Sequence, residues 1–325
     1  MAYPWQVMAL RLALLLVASL ACVGVAAEDS AHDWLVRMLD ATRHLSYDGT
    51  FVYRTGTRVE TMRIVHRYAA DGERERLIAL DGAAREVIRT NDEVMCILPD
   101  DAVILVGKRL VQGFQMNPVF NLTQVPVQYQ LSLGGQGRVA GRVAVNLRLS
   151  PQDSMRYGYR LSLDQATGLL LRAALLGANE QVLEEIAYTN LTVPADISDQ
   201  QLQPSVSGEG FTRYETGPDV GARAVPDEVR WLIAWRPDGF ELREYLDGAS
   251  ARDDLSVEHF VYSDGLASLS VFIEQLPATE EPMTGHAQMG AVNAFGRMLE
   301  GHQVTVVGEV PAGTVERVAL SVTMR

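Results

Sequence analysis

The sequence is short of lysine and of cysteine. Lys108 is its single lysine against 27 arginines, and of its two cysteines, Cys22 and Cys96, only Cys96 lies beyond the N-terminal segment. One cysteine closes no internal disulfide and completes no thiolate metal site, so packing alone must stabilise the fold. The arginine excess has two readings, codon bias or selection for the planar fork that grips anions through paired hydrogen bonds. Basic charge is also in deficit. The formal net charge is −13, the reverse of the footprint that phosphate backbones require, which speaks against a nucleic-acid partner. Past the N-terminus no stretch approaches the ~20 consecutive apolar residues of a membrane helix. The six histidines have no ligand spacing, and there is no Gly-x-Ser-x-Gly elbow or phosphate loop; the glycines from Gly134 to Gly141 precede a strand pattern and depart from the dinucleotide fingerprint. No enzyme, metal or cofactor is expected. The adjacent acids Glu184-Glu185 and Asp253-Asp254 read as solvated surface.

What remains is enough for two domains: 325 residues, 47% of them hydrophobic. Arg11, the apolar run Leu12 to Val25, and Val25-Ala26-Ala27 before Glu28 stand in the order of a secretory signal peptide cleaved after Ala27. The mature chain is therefore expected to be soluble and exported. Cys22 keeps a lipoprotein reading open, although Ser19 stands where that signal usually has an aliphatic residue. Cys96, between Met95 and Ile97, is read as buried and apolar, with a reactive thiol as the alternative.

The spacing predicts four parts: a signal peptide over 1–27, a β domain over 28–199, a linker over 200–226 rich in Gly, Pro and Ser, and a small α+β domain over 227–325. Ser30 and Asp33 open a helix on which Trp34, Leu35, Met38, Leu39 and Leu45 recur at helical intervals. From Gly49 the period becomes two and Asp71-Gly72 and Asp81-Gly82 mark hairpins, giving an antiparallel meander. Residues 112–136 read as an irregular excursion that could form a lid. The alternation in 138–148 and 156–163 predicts two neighbouring strands with Arg138, Arg142, Arg148, Arg156 and Arg160 on one face. Residues 102–172 hold eight basic residues against Asp153 and Asp164, while the acid surplus lies mainly beyond residue 200. Such a face is either a solvated surface paired with nearby acids, or a site for lipid head groups or an acidic partner segment. In the small domain the expectation is a single helix around 285–299 followed by strands at 303–308 and 314–322.

Leu45-Ser-Tyr-Asp-Gly-Thr-Phe-Val-Tyr53, Met62-Arg-Ile-Val-His66, the segment Glu75 to Val87, Arg138-Val-Ala-Gly-Arg142, Arg156-Tyr-Gly-Tyr-Arg-Leu161 and Thr167-Gly-Leu-Leu-Leu171 resemble the large domain of the RseB/MucB family. The segment Ser263 to Phe272, Gly290-Ala-Val-Asn-Ala294 and Val304-Thr-Val-Val-Gly-Glu-Val-Pro311 resemble its small domain. Cys96-Ile-Leu-Pro99 departs from the pattern, which places an aromatic after the cysteine. The resemblance implies a mainly β fold: an unclosed antiparallel barrel wrapped on helices, like LolA and LolB, followed by a small α+β domain. It implies a periplasmic regulator that binds the periplasmic part of a membrane anti-sigma factor of the RseA or MucA kind and shields it from site-1 proteolysis. That keeps the envelope-stress sigma factor (sigma-E/AlgU) off until lipoprotein or lipopolysaccharide is sensed. The alternative is a LolA-type lipid carrier. Acyl chains would then enter an apolar cavity for which Trp34, Leu35, Met38, Leu39, Phe51 and Tyr53 are candidates, filled core being the competing reading of the same six. A homo-oligomer is left open.

Overall fold

The computed structural model describes residues 29–91, 93–107, 125–215, 230–249, 256–277 and 280–325. The signal-like segment with Arg11 and Cys22, Lys108, Arg109, residues 112–124 of the excursion and residues 216–226 of the connection lie outside the described residues. In helix α1 (Ala31–His44) Trp34, Leu35, Met38 and Ala41 share the buried face, with Asp33 in the first turn and Arg43 and His44 in the last, each sign matching the helix dipole.

The strands β1 (Tyr47–Thr55), β2 (Arg58–Ala69), β3 (Gly72–Ala79), β4 (Glu86–Thr90), β5 (Glu93–Leu98) and β6 (Val103–Gly107) form one antiparallel meander. A second runs through β7 (Tyr129–Val139), β8 (Arg142–Pro151), β9 (Gly158–Asp164), β10 (Leu170–Leu176) and β11 (Val182–Thr192), and β11 pairs back onto β1. The short β12 (Thr212–Glu215) adds to β6 in parallel, so the sheet of twelve strands starts at β12, ends at β7 and stays open. α1 lies against one face. Its Trp34, Leu35 and Met38 join the core of β7–β10, and Ala41 joins the core of β1–β5.

Beyond this sheet come β13 (Trp231–Ile233), β14 (Glu241–Ala249), β15 (Ser256–Ser263), β16 (Ser268–Glu274), β17 (Gly285–Met289), β18 (Val292–Leu299), β19 (His302–Gly308), α2 (Ala312–Leu320) and β20 (Val322–Met324). A second sheet has the order β14-β15-β16-β19-β18-β17, and α2 packs over β18 and β19. Residues 31–325 pack as one unit.

Four expectations of local structure are corrected. The helix expected at 285–299 is the hairpin β17–β18, turned at Gly290 with φ +61. The helix is instead α2, overlapping most of the segment read as a strand over 314–322; Thr314, Val315, Val318 and Ala319 are its buried residues, a helical interval, and Pro311 precedes it. The continuous strand expected over 138–148 is broken by the turn Ala140-Gly141, both at positive φ (48 and 77), which joins β7 to β8. Val143, beside this turn at the start of β8, is 50% exposed, whereas Leu147 further along the strand is fully buried. The excursion read as irregular up to residue 136 is already strand from Tyr129.

Candidate functional site

The pairing register lines residues up across the helix-bearing face of the large sheet. Tyr53 stands opposite Ile186, which stands opposite Ala173; one row further, Thr55 faces Glu184, Glu184 faces Leu175 and Leu175 faces Tyr159. Because side chains alternate between faces, Glu184 belongs with Ile186 and Tyr188 on the inner face, and Glu185 points out to meet Arg172. The reading of Glu184-Glu185 as a solvated pair is therefore wrong for Glu184. Its Oε2 accepts the Tyr53 hydroxyl at 3.0 Å and its Oε1 the Thr55 hydroxyl at 3.1 Å.

These rows form one wall of a cavity of about 620 Å³, within the roughly 300–1,000 Å³ typical of small-molecule sites. Met62, Leu77, Tyr159, Ala173, Leu175 and Ile186 supply apolar lining from the large sheet, and Leu266, Met289 and Val292 supply it from the second sheet and its turns. The cavity is polar at two places. Arg58 and Arg85 both pair with Glu60, while Glu184, Tyr53 and Glu309 gather where the two sheets meet. Burial first, and then the charge of Glu184, raises the Glu309 carboxyl to about 7. Burial and the same Glu184 push the Tyr53 hydroxyl up, so it stays a neutral donor.

The seam around the cavity is closely fitted. Leu266 and Ala291 sit in the apolar core of β7–β10. Arg156, fully buried, forms an ion pair with the equally buried Asp264, donates to the Asp238 carbonyl at 2.8 Å and pairs with Asp153 at 2.9 Å. Asp264 in turn accepts the Leu266 and Ala267 amides at 2.9 and 2.8 Å, fixing the turn that carries Leu266 into the large core. Asn293 donates to the Tyr157 hydroxyl at 3.0 Å, and Thr314 donates to the Met155 carbonyl at 2.9 Å.

Of the six cavity candidates, Tyr53 alone reaches this wall. Trp34, Leu35 and Met38 are packed into the core with Leu39 partly buried against it, and Phe51 is enclosed in the neighbouring core against Tyr188. The five arginines do not share a face either. Arg148 and Arg160 stand opposite each other on β8 and β9 and both approach Glu180; Arg142 grips Asp164 with two bonds of 3.0 and 2.9 Å; Arg138 is exposed on β7. Arg156 is removed from any surface patch because it precedes β9 and turns inward to Asp264. Glu184, Glu309, Arg85 and Asp264 join the site although no sequence motif marks them as candidates. The available signals were a glutamate sharing the parity of Ile186 and Tyr188, and an acid inside the apolar run Val306-Val-Gly-Glu-Val310.

His66, Glu73 and Glu75 bring ligand-type atoms within 4.8 Å of one another. Arg89 donates to both carboxylates there, and His66 is held between Glu73 at 3.0 Å and the Leu45 carbonyl at 2.8 Å, so the group is knit by its own ion pairs. Burial pushes the Cys96 thiol up, which makes the thiolate scarce and fits an inert buried cysteine.

An open sheet of twelve strands, a second sheet docked on it through buried charge, and an apolar cavity at their seam define a two-part β binding protein. The chain belongs to the MucB/RseB family: the family model described as MucB/RseB N-terminal domain matches residues 30–206, and MucB/RseB C-terminal domain matches 225–323. It is 40% identical to the sigma factor AlgU regulatory protein MucB of Pseudomonas aeruginosa, over 95% of this chain and 96% of that relative. With the sigma-E factor regulatory protein RseB of Haemophilus influenzae the identity is 26% over 99% of both. Among solved structures, MucB in complex with MucA(peri) matches with a TM-score of 0.70 at 36% identity, over 91% of this chain and 99% of that one. A crystal structure of MucB matches at 0.61 and 37%, over 91% and 98%.

Proposed function

We propose that this chain is a periplasmic regulator that binds the periplasmic part of a MucA- or RseA-type anti-sigma factor, shields it from site-1 proteolysis and so holds the envelope-stress sigma factor inactive. The observation that carries this reading is the full-length likeness to MucB, through both sheets and the seam between them, including the solved form bound to MucA(peri). The signal-like N-terminus supports export of the mature chain to the compartment of that segment. Release follows when acyl chains of lipoprotein or lipopolysaccharide enter the seam cavity. Each buried CH₂ is worth about 0.8 kcal/mol, so a few chain segments offset several kcal/mol of lost partner contact. Equal affinity for the partner-bound and released arrangements would shift nothing, so the ligand must favour an arrangement that grips the partner less well. The cavity's position between the two sheets supports that coupling, since a ligand there touches both. A pull-down of the mature chain with the anti-sigma periplasmic segment tests the reading: retention and protection from the protease support it, and no binding overturns it.

A LolA-type carrier is the second reading, favoured by the open sheet alone. It has no use for the second sheet, which contributes Leu266, Met289, Val292 and Glu309 to the cavity wall.

A further inference from the structure

Where the hairpin turn β17–β18 meets the large sheet, there is no room for a side chain. A Cβ on Gly290 would lie 2.3 Å from the Thr55 hydroxyl and 3.3 Å from Glu184 Oε1. The turn is thus seated on Thr55 and on the Glu184 carboxylate that Thr55 holds. Glu309, the residue directly after β19 of the second sheet, lines the cavity together with Glu184. Two carboxylates from opposite sides of the seam therefore line one partly open, mainly apolar cavity.

We propose that Glu309 and Glu184 form a proton-operated latch across the seam: a proton on Glu309 keeps the β17–β18 turn seated on the large sheet, and its loss loosens that contact and opens the cavity. The surroundings decide the sign. From β11 the group facing Glu309 is Glu184; from β1, β9 and β7 they are the phenols of Tyr53, Tyr159 and Tyr129, with Tyr157 just before β9, all raised by burial and neutral. The cations of the cavity wall, Arg58 and Arg85, are paired with Glu60, and Glu185 with Arg172. A second buried negative charge beside Glu184 is consequently opposed by both desolvation and repulsion. The seated state holds a proton on Glu309 up to about pH 7, whereas a solvated glutamate gives it up near its ordinary value. Seating is hence fully favoured below the ordinary glutamate range, weakens by up to about tenfold per pH unit as pH rises from there to about 7, and levels off above. The latch itself needs no ligand; only its meaning as a regulator of lipid access rests on the function proposed above.

The test uses the mature chain without lipid or partner. Hydrogen exchange of the segment 286–293 is followed from pH 5 to 8, corrected for intrinsic rates. The wild type should lose protection by at least tenfold across that range, and Glu309→Gln, neutral at every pH, should hold it constant. Glu184→Gln removes the repelling charge and should move the transition to lower pH. Protection that is independent of pH in the wild type, or an identical transition in Glu309→Gln, overturns the latch and leaves the anti-sigma pull-down untouched. Should Glu309→Gln fail to fold, carboxyl ¹³C titration of Glu309 in the wild type decides: a midpoint near 7 supports the latch and one in the ordinary glutamate range overturns it.

Discussion

Arg156 and Asp264 form an ion pair in which neither side chain is exposed, with the arginine in the bend between β8 and β9 of the large sheet and the aspartate on a turn of the second. Phe240 lies beneath the guanidinium at 5.2 Å, and the Asp238 carbonyl and Asp153 take its remaining donors. A buried pair of this kind adds little net stability compared with apolar residues, but removing one partner strands the other charge at a cost of about 3–5 kcal/mol. Its effect is to fix one arrangement of the sheets.

The first prediction is that Arg156→Met lowers stability by about that much, because it strands the buried Asp264 carboxylate, whereas Asp264→Asn costs less, because Arg156 keeps Asp153 as a partner. The double variant should cost less than the sum. Urea unfolding in a double-mutant cycle measures the coupling, and strict additivity would show that the pair does not set the seam.

Replacing Gly290 by alanine forces a Cβ against Thr55 and puts a side chain at φ +61. A loss of about 1–3 kcal/mol is expected. The loss should appear at the seam first, as faster limited proteolysis between the sheets at temperatures where both remain folded.

How much of this was legible in the sequence depends on what each residue's pattern could carry. The strands β3 to β6 and the helix α1 were readable because period and turn residues agree locally: Asp71 and Gly72 punctuate β2 and β3, and Met38 follows Trp34 and Leu35 by one turn. The turn at Ala140-Gly141 was hidden because an alanine in the left-handed region leaves no mark in composition. The segments 285–299 and 314–322 exchanged roles because short apolar runs fit both periods, and only Gly290 and Pro311 would have told them apart. The seam was least legible. Arg156 with Asp264, and Glu184 with Glu309, are more than a hundred residues apart, and no local pattern says that such residues meet.

Acid should destabilise the large sheet through Asp164 and Glu86. Burial raises both carboxyls, but the bonds from Arg142 and Thr167 to Asp164, and from Arg76 and Ser205 to Glu86, outweigh it and hold both below their usual values. A folded-state value that is depressed gives stability that is present above the ordinary carboxylate range and is lost as pH falls through the depressed value. Urea midpoints should thus fall steeply below about pH 4. Arg142→Met should flatten that dependence while lowering the neutral-pH midpoint.

Filling the cavity separates ligand sensing from partner binding. Ile186 lines the cavity from β11 and is only half-buried, so Ile186→Trp has space to occupy. Binding of a fluorescent acyl probe should weaken at least tenfold in this variant. Its melting temperature should remain within a few degrees of the wild type.

The most direct measurement is competition on the immobilised anti-sigma periplasmic segment. The mature chain should bind it, slow its cleavage by the site-1 protease, and be displaced by lipopolysaccharide or an acylated lipoprotein fragment, whereas Ile186→Trp should bind equally well and resist displacement. Failure of the wild-type chain to bind the segment would contradict the account at its root. Displacement that is identical in the filled-cavity variant would contradict the role given to the seam.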